Sequence, residues 1–258
     1  MISKNQIKLV KSLKHKKFRT QHSLFLVEGY RNCVELLKSD FAIQRFFYTE
    51  DSIRSERNFK LITEFKNIVD KCEIITSSEM SSISDSVTDQ GMVAVVHLPE
   101  ENQFPNLNDM NTILYLESIS DPGNLGAIIR TAAWFGIDSI FLSSDSADRF
   151  NPKVVRSSAG AIFQLPIFEI SDSKEFFNTA AESGFTTVAT TPHGGTSIYD
   201  FDFPAKSIIL FGSEANGLSD DIMSNTDTNI SIPSKGNGES LNIAVSCGIV
   251  LGVKNSSK

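Results

Sequence analysis

The chain has 258 residues, is 40% hydrophobic and 21% charged, and carries a formal net charge of −7. That is ordinary for a soluble globular protein with room for two domains, and it argues against a general nucleic-acid binder. Three well-separated cysteines (Cys33, Cys72, Cys247) and four scattered histidines offer neither a disulfide framework nor a zinc pattern, so reduced thiols in a cytoplasm and no metal are expected. Residues 1–17 are basic with no apolar core segment, and the longest apolar run, 243–253, is interrupted by Ser246 and too short for a bilayer. Neither a signal peptide nor a membrane span is expected.

In chain order, Ile7, Val10 and Leu13 recur at helical spacing from Ser3 to about Lys16. Strands are expected at 24–27, 43–48, 73–76 and 91–97, with helices at 31–39 and 59–71 and a short one within 77–86. This alternation describes a small α/β domain over 1–97. Residues 98–111, rich in Pro, Asn and acids, read as a linker. From 112 to 258 the alternation strengthens. Strands are expected at 112–117, 139–142, 165–170, 186–190, 207–211 and 229–232, and helices at 125–135, 152–158, 174–182, 219–223 and from about Leu241 to 253. Near-continuous apolar strands such as Ile208-Ile209-Leu210-Phe211 predict a mostly parallel sheet with helices on both faces.

Charge is unevenly spread. Residues 1–97 hold fifteen Lys/Arg against twelve Asp/Glu, a net of +3, and residues 98–258 hold nine against nineteen, a net of −10. Lys4, Lys8, Lys11, Lys14, Lys16, Lys17 and Arg19 all precede the first acid, Glu28. This cluster is a candidate phosphate-contacting surface, with an ordinary solvated helix face as the competing reading.

Ligands of open α/β sheets bind beyond the C-terminal ends of strands. Three such ends are polar or glycine-rich beyond what packing needs: Ser118 to Asn124, Gly212 to Gly217, and Pro233 to Ser240, with Thr190 to Gly195 as a weaker fourth. Ser240 is a candidate N-cap for the last helix, and Asn124 one for the helix that follows it. The dinucleotide, P-loop and nucleophile-elbow fingerprints are all absent, which disfavours dehydrogenases, P-loop NTPases and serine hydrolases. Arg130 sits in an otherwise apolar helical stretch, Ala127 to Phe135, where an unpaired charge would be costly.

Taken together, three segments resemble the three motifs of the SpoU/TrmH family of S-adenosylmethionine-dependent RNA ribose 2′-O-methyltransferases. They are Asn124-Leu125-Gly126-Ala127-Ile128-Ile129-Arg130-Thr131-Ala132, Phe211 to Leu218, and Ile232-Pro233 with Glu239-Ser240-Leu241-Asn242. Asn151 to Ala161 is similar to the stretch between the first two motifs, and Lys4 to Tyr30 to the L30e-like substrate-binding domain fused to many members. The resemblance implies an α/β fold with a deep trefoil knot, a homodimer, and S-adenosyl-L-methionine as cofactor. It implies cofactor contacts from Thr191, Gly212, Ile232 and Leu241, and catalytic roles for Asn124, Arg130, Glu214, Ser240 and Asn242. Arginine is not normally deprotonated, so Arg130 is expected to bind a phosphate and polarise the hydroxyl. Asn124 and Asn242 are expected to orient Arg130 and the ribose, and Glu214 to pair with the arginine or hold its loop. Ser234 and Ser246-Cys247 depart from the family pattern and are expected to bear on helix packing. The RNA is expected to be ribosomal in preference to transfer RNA. A transfer-RNA enzyme and a catalytically silent RNA-binding module of the same fold remain the alternatives.

Overall fold

The computed structural model describes residues 2–85, 90–100 and 104–256. Ser86 and residues 101–103 of the expected linker lie outside the described residues. Two compact units emerge: Met1–Glu101 with Asp148–Gln164, and Asn102–Ala147 with Leu165–Lys258. The second unit is thus discontinuous in sequence. Residues 148–164, expected from the sequence to fall within a single run from 112 to 258, belong with the first unit.

The first unit is a four-stranded sheet of order β1-β4-β2-β3, formed by β1 (Leu24–Glu28), β2 (Ile43–Thr49), β3 (Cys72–Ile75) and β4 (Met92–His97). β4 is antiparallel to β1 and β2, and β3 runs parallel to β2. Leu24, Leu26, Val93 and Val95 point to one face, where they meet Val10 and Leu13 of α1 (Lys4–Ser12) and its C-cap, and Met80 and Ile83 of α5 (Ser77–Ile83). Both helices start with a reciprocal capping box, Ser3 with Gln6 and Thr76 with Glu79. On the other face Phe25 packs against Phe41 and Phe150. α3 (Tyr30–Leu37), α4 (Glu56–Ile68) and α7 (Pro152–Ser157) complete the unit.

One helix here was not expected. α2 (Lys16–His22) has no apolar period, because its one buried side chain is Arg19. Arg19 is 2% exposed, pairs with Asp148 and donates to the carbonyls of Leu13 and Lys14 at 2.8 and 2.9 Å. The basic cluster is therefore not uniform. Lys4, Lys8, Lys11 and Lys17 are exposed, whereas Arg19 is structural and Lys14 is tied to the Ser84 carbonyl at 2.8 Å.

The second unit is a seven-stranded sheet of order β7-β6-β5-β10-β8-β11-β9 with every pairing parallel. Its strands are β5 (Thr112–Leu116), β6 (Ser139–Ser143), β7 (Ile167–Ile170), β8 (Thr186–Thr191), β9 (Thr196–Ser197), β10 (Ser207–Phe211) and β11 (Thr228–Ser231). α6 (Pro122–Trp134) packs against α10 (Ile243–Ser256), while α8 (Ser173–Glu182) and α9 (Asp220–Ser224) contribute Phe176 and Ile222 to a core with Tyr115, Phe141 and Leu210. Leu107 of the expected linker is 2% exposed and joins this core. β9 went unforeseen because two residues carry no periodicity. From β5 the chain builds outward through β6 to β7, then returns beyond β10. Loops leaving β5 and β10 therefore diverge, which opens a crevice at their C-terminal ends.

Candidate active site

A cavity of about 630 Å³ lies on the β8 and β11 side of β10, beyond the C-terminal ends of these strands. Its walls come from the loops after β8, β10 and β11 and from the first turns of α10, and its floor is apolar, with Leu218, Ile230 and Val250. The loop after β10 closes on itself: Ser213 and Gly217 exchange backbone hydrogen bonds of 3.0 and 2.9 Å, and Gly217 turns at φ +69°. Gly212 tolerates no side chain, since a Cβ there would stand 2.0 Å from the Gly217 carbonyl carbon. Glu117 anchors the far end of this loop, accepting from the Ser219 amide and hydroxyl at 2.8 and 2.7 Å.

The turn into α6 is equally fixed. Ser118 adopts a left-handed φ of +55° and donates to Asp145, which also accepts from Ser143 at 2.5 Å. These bonds hold the Asp145 carboxyl below its usual range. Asp121, not Asn124, caps α6, accepting from the Asn124 amide at 2.8 Å. The Asn124 side chain is thereby free for another task.

That task is to join three distant loops. Asn124 donates through Nδ2 to Glu214 Oε1, and its Oδ1 accepts from Asn242 Nδ2 at 3.0 Å. Asn242 Oδ1 in turn accepts from the amides of Ala244 and Val245 at 3.0 and 3.3 Å. Asn242 is therefore the residue that caps α10, in place of Ser240, and the helix begins at Ile243 instead of Leu241. Both amide orientations follow from the bonding: a carboxylate can only accept, and a helix N-terminus can only donate.

Of the residues singled out in the sequence, Thr191, Gly212, Glu214, Ile232, Ser240 and Leu241 line the cavity, and Asn124 and Asn242 bond to its wall through Glu214. Glu214 thus partners Asn124; pairing with the arginine or holding its own loop were the two expectations. Arg130 stands apart: it is exposed on α6, and among the described residues no hydrogen bond joins it to this chain of three. Ser234 and Ser246 also line the cavity, so these departures from the family pattern face ligand space and do not merely pack a helix. Glu117, Ile198 and Met223 were missed. An acid closing a strand was a faint signal for Glu117, while Ile198 follows the two-residue β9 and had none. Among the described residues no group of three or more His, Cys, Asp or Glu side chains is placed to hold a metal ion.

A wholly parallel α/β sheet with its pocket beyond the C-terminal ends of β8, β10 and β11, built from polar loops in place of a glycine fingerprint, defines a nucleotide-type ligand site that is not of the dehydrogenase kind. The family model of the SpoU rRNA Methylase family matches residues 111–252, and that of the MRM3-like substrate binding domain matches residues 4–94. The chain belongs to the SpoU rRNA methylase family. It is 28% identical over 250 residues, 96% of each chain, to the 23S rRNA (guanosine(2553)-2′-O)-methyltransferase RlmP of Bacillus subtilis. Among solved structures it is similar to a putative RNA methyltransferase of the TrmH family from Porphyromonas gingivalis, with 29% identity, 98% of each chain covered and a TM-score of 0.84. It is also similar to the SpoU methyltransferase AviRb from Streptomyces viridochromogenes in complex with AdoMet, with 25% identity, 98% and 97% covered and a TM-score of 0.86.

Proposed function

We propose that this protein transfers a methyl group from S-adenosyl-L-methionine to a ribose 2′-hydroxyl of structured RNA, with 23S ribosomal RNA as the substrate by likeness to its relatives. The observation that carries the reading is the hydrogen-bonded run Asn242–Asn124–Glu214, which ties the ends of β5, β10 and β11 to the wall of one cavity. The cavity suits the cofactor. Its volume lies within the ~300–1,000 Å³ typical of small-ligand pockets, its floor is apolar enough for an adenine ring, and its rim offers backbone amides and carbonyls. Thr191, Gly212, Ile232 and Leu241 would hold the group there. When bound, the cofactor supplies an electrophilic methyl on a sulfonium whose charge vanishes on transfer.

What remains for the protein is alignment and removal of a proton from a weakly acidic alcohol. Asn124 and Asn242 orient the ribose, and Glu214 takes the hydroxyl's hydrogen bond on its second carboxylate oxygen. Ser240 adds a hydrogen bond at the rim. Arg130 holds the neighbouring phosphate. Its exposure on the same α6 face as Trp134, which is 84% exposed, supports a homodimer in which a second copy completes the site. α10 supports it too: the helix is apolar almost all round, yet Val245 is 51% exposed. The order of β8, β10 and β11 in the sheet supports the trefoil knot. Residues 1–97 serve as the substrate-binding domain and 112–258 as the methyltransferase domain, which lends residues 148–164 to the first unit, while residues 98–111 join the two and seat Leu107 in the second core, the whole acting in the cytoplasm.

The test is incubation with labelled S-adenosylmethionine and total RNA, followed by mapping of alkali-resistant linkages. Label recovered on a ribose at one nucleotide of 23S RNA is expected. Label on a base refutes the reaction, and label on transfer RNA alone refutes the target. Arg130→Ala is expected to abolish turnover while cofactor binding survives.

A further inference from the structure

A second cavity, of about 510 Å³, lies wholly within the first unit. Its chemistry is distinctive for an acidic chain: Arg31, Arg57 and Arg156 line it, against a single acid, Glu28. The Glu28 carboxylate is already engaged, accepting from the Ser84 hydroxyl at 2.6 Å and the Asp85 amide at 2.8 Å. Gly29, at φ +88°, turns the chain into α3 at the cavity wall. Gln90 caps the Tyr30 amide at 2.8 Å, and the first helical turn directs its remaining amides the same way. Guanidinium groups and a helix N-terminus together favour an anion.

Three further observations go beyond a bare anion. The Arg57 guanidinium lies 4.8 Å above the Tyr30 ring, and Arg57 is exposed, so its outer plane is a ready stacking surface for a second ring. Asn32 is 4% exposed, and its Nδ2 donates to the Glu28 carbonyl at 2.8 Å. Among the described residues its Oδ1 is a buried acceptor with no hydrogen-bond partner, and Arg156 Nη1 is a buried donor with none, pairing only loosely with Asp85 at 3.6 Å. Orphaned buried groups are rare, and here an acceptor and a donor belong to the walls of one cavity. A phosphate answers the donor but not the acceptor; a nucleotide carries both a phosphate and base N–H groups.

We propose that this cavity receives one unpaired nucleotide of the RNA, its base stacked on Arg57 and its phosphate held by Arg31 and Arg156. Base stacking on guanidinium planes is a common mode of single-strand recognition. The inference rests on the reading of RNA as substrate. It also gives residues 148–164, which lie in sequence between β6 and β7, a role in gripping RNA as part of the first unit.

The test uses the full chain and fluorescence anisotropy with two labelled RNAs: a hairpin with a wide single-stranded loop, and the same sequence closed into a duplex. Arg57→Ala and Arg57→Lys are each expected to weaken binding of the looped RNA roughly ten-fold and to leave the duplex nearly unchanged. Rescue by lysine would show that charge alone matters and would overturn the proposal, as would equal loss on both RNAs. Uridine 5′-monophosphate is expected to displace the looped RNA at concentrations where inorganic phosphate does not; equal displacement would overturn it too. Binding of labelled S-adenosylmethionine and methyl transfer are read separately. Selective loss of loop binding without any transfer activity in the parent protein sinks the function above and keeps this inference, and normal transfer with unchanged loop binding in the variants does the reverse.

Discussion

At the scale of single residues, Asn124 links the loops around the candidate site. It commits its donor to Glu214 and its acceptor to Asn242, so it senses two loops at once. Asn124→Ala is expected to lower kcat by about 100-fold through lost alignment, with S-adenosylmethionine affinity changed only a few-fold; isothermal titration and single-turnover rates separate the two. Gly212 shows the opposite dependence. A Cβ there would sit 2.0 Å from backbone, so Gly212→Ala must displace the 212–217 loop, and calorimetry should find cofactor binding lost. Two of the cysteines, Cys33 and Cys247, are buried. Burial pushes the thiols of Cys33 and Cys247 up to about 12, which keeps them protonated at neutral pH and removes them as nucleophiles.

At the scale of elements, the N-terminal helices combine two functions that must be tested separately. Val10, Leu13 and Arg19 are at most 2% exposed, so deleting residues 1–19 would open the core of the first unit as well as remove charge. Replacing only Lys4, Lys8, Lys11 and Lys17, all exposed, by glutamine avoids that fault. For every phosphate that one of these lysines neutralises, its replacement should flatten the plot of log affinity against log salt by roughly 0.7–0.9. Unchanged salt dependence would make these lysines a solvated face. α10 is governed by its start: Asn242 caps it and points back to Asn124, so the same side chain ends the loop and joins the site.

At the scale of the whole molecule, the proposed role of Arg130 rests on the proposed assembly. Within one chain it lies exposed on α6, with Trp134 one turn away and 84% exposed. Burying an indole at an interface contributes several kcal/mol, about 25 cal/mol for each Å² of apolar surface covered. Trp134→Glu is therefore expected to shift the protein from dimer to monomer in sedimentation and to lose activity together with the dimer. A monomeric parent protein, or a dimeric and active variant, would remove the proposed role of the second copy.

Much of this was legible in the residues themselves. The apolar runs fix the strands, because a parallel strand covered on both faces has no polar side to disguise it, and the order of polar strand ends marked the loops that line the cavity. Short or polar elements escaped for an equally physical reason: α2 is held by one buried arginine and β9 by a neighbouring strand, and neither leaves a periodic trace. The caps of α6 and α10 were misplaced because Asp121, Asn124, Ser240 and Asn242 are all competent caps, and only the helix axes select among them. The sequence by itself determined the longer elements, the family and the chemical types at the site. Only the tertiary structure decided that Asn124 bonds to Glu214 and Asn242, that Arg130 does not join them within the chain, and that residues 148–164 belong with the first unit. Such pairings depend on where the sheet brings loops that lie far apart along the chain, a separation that local patterns do not encode.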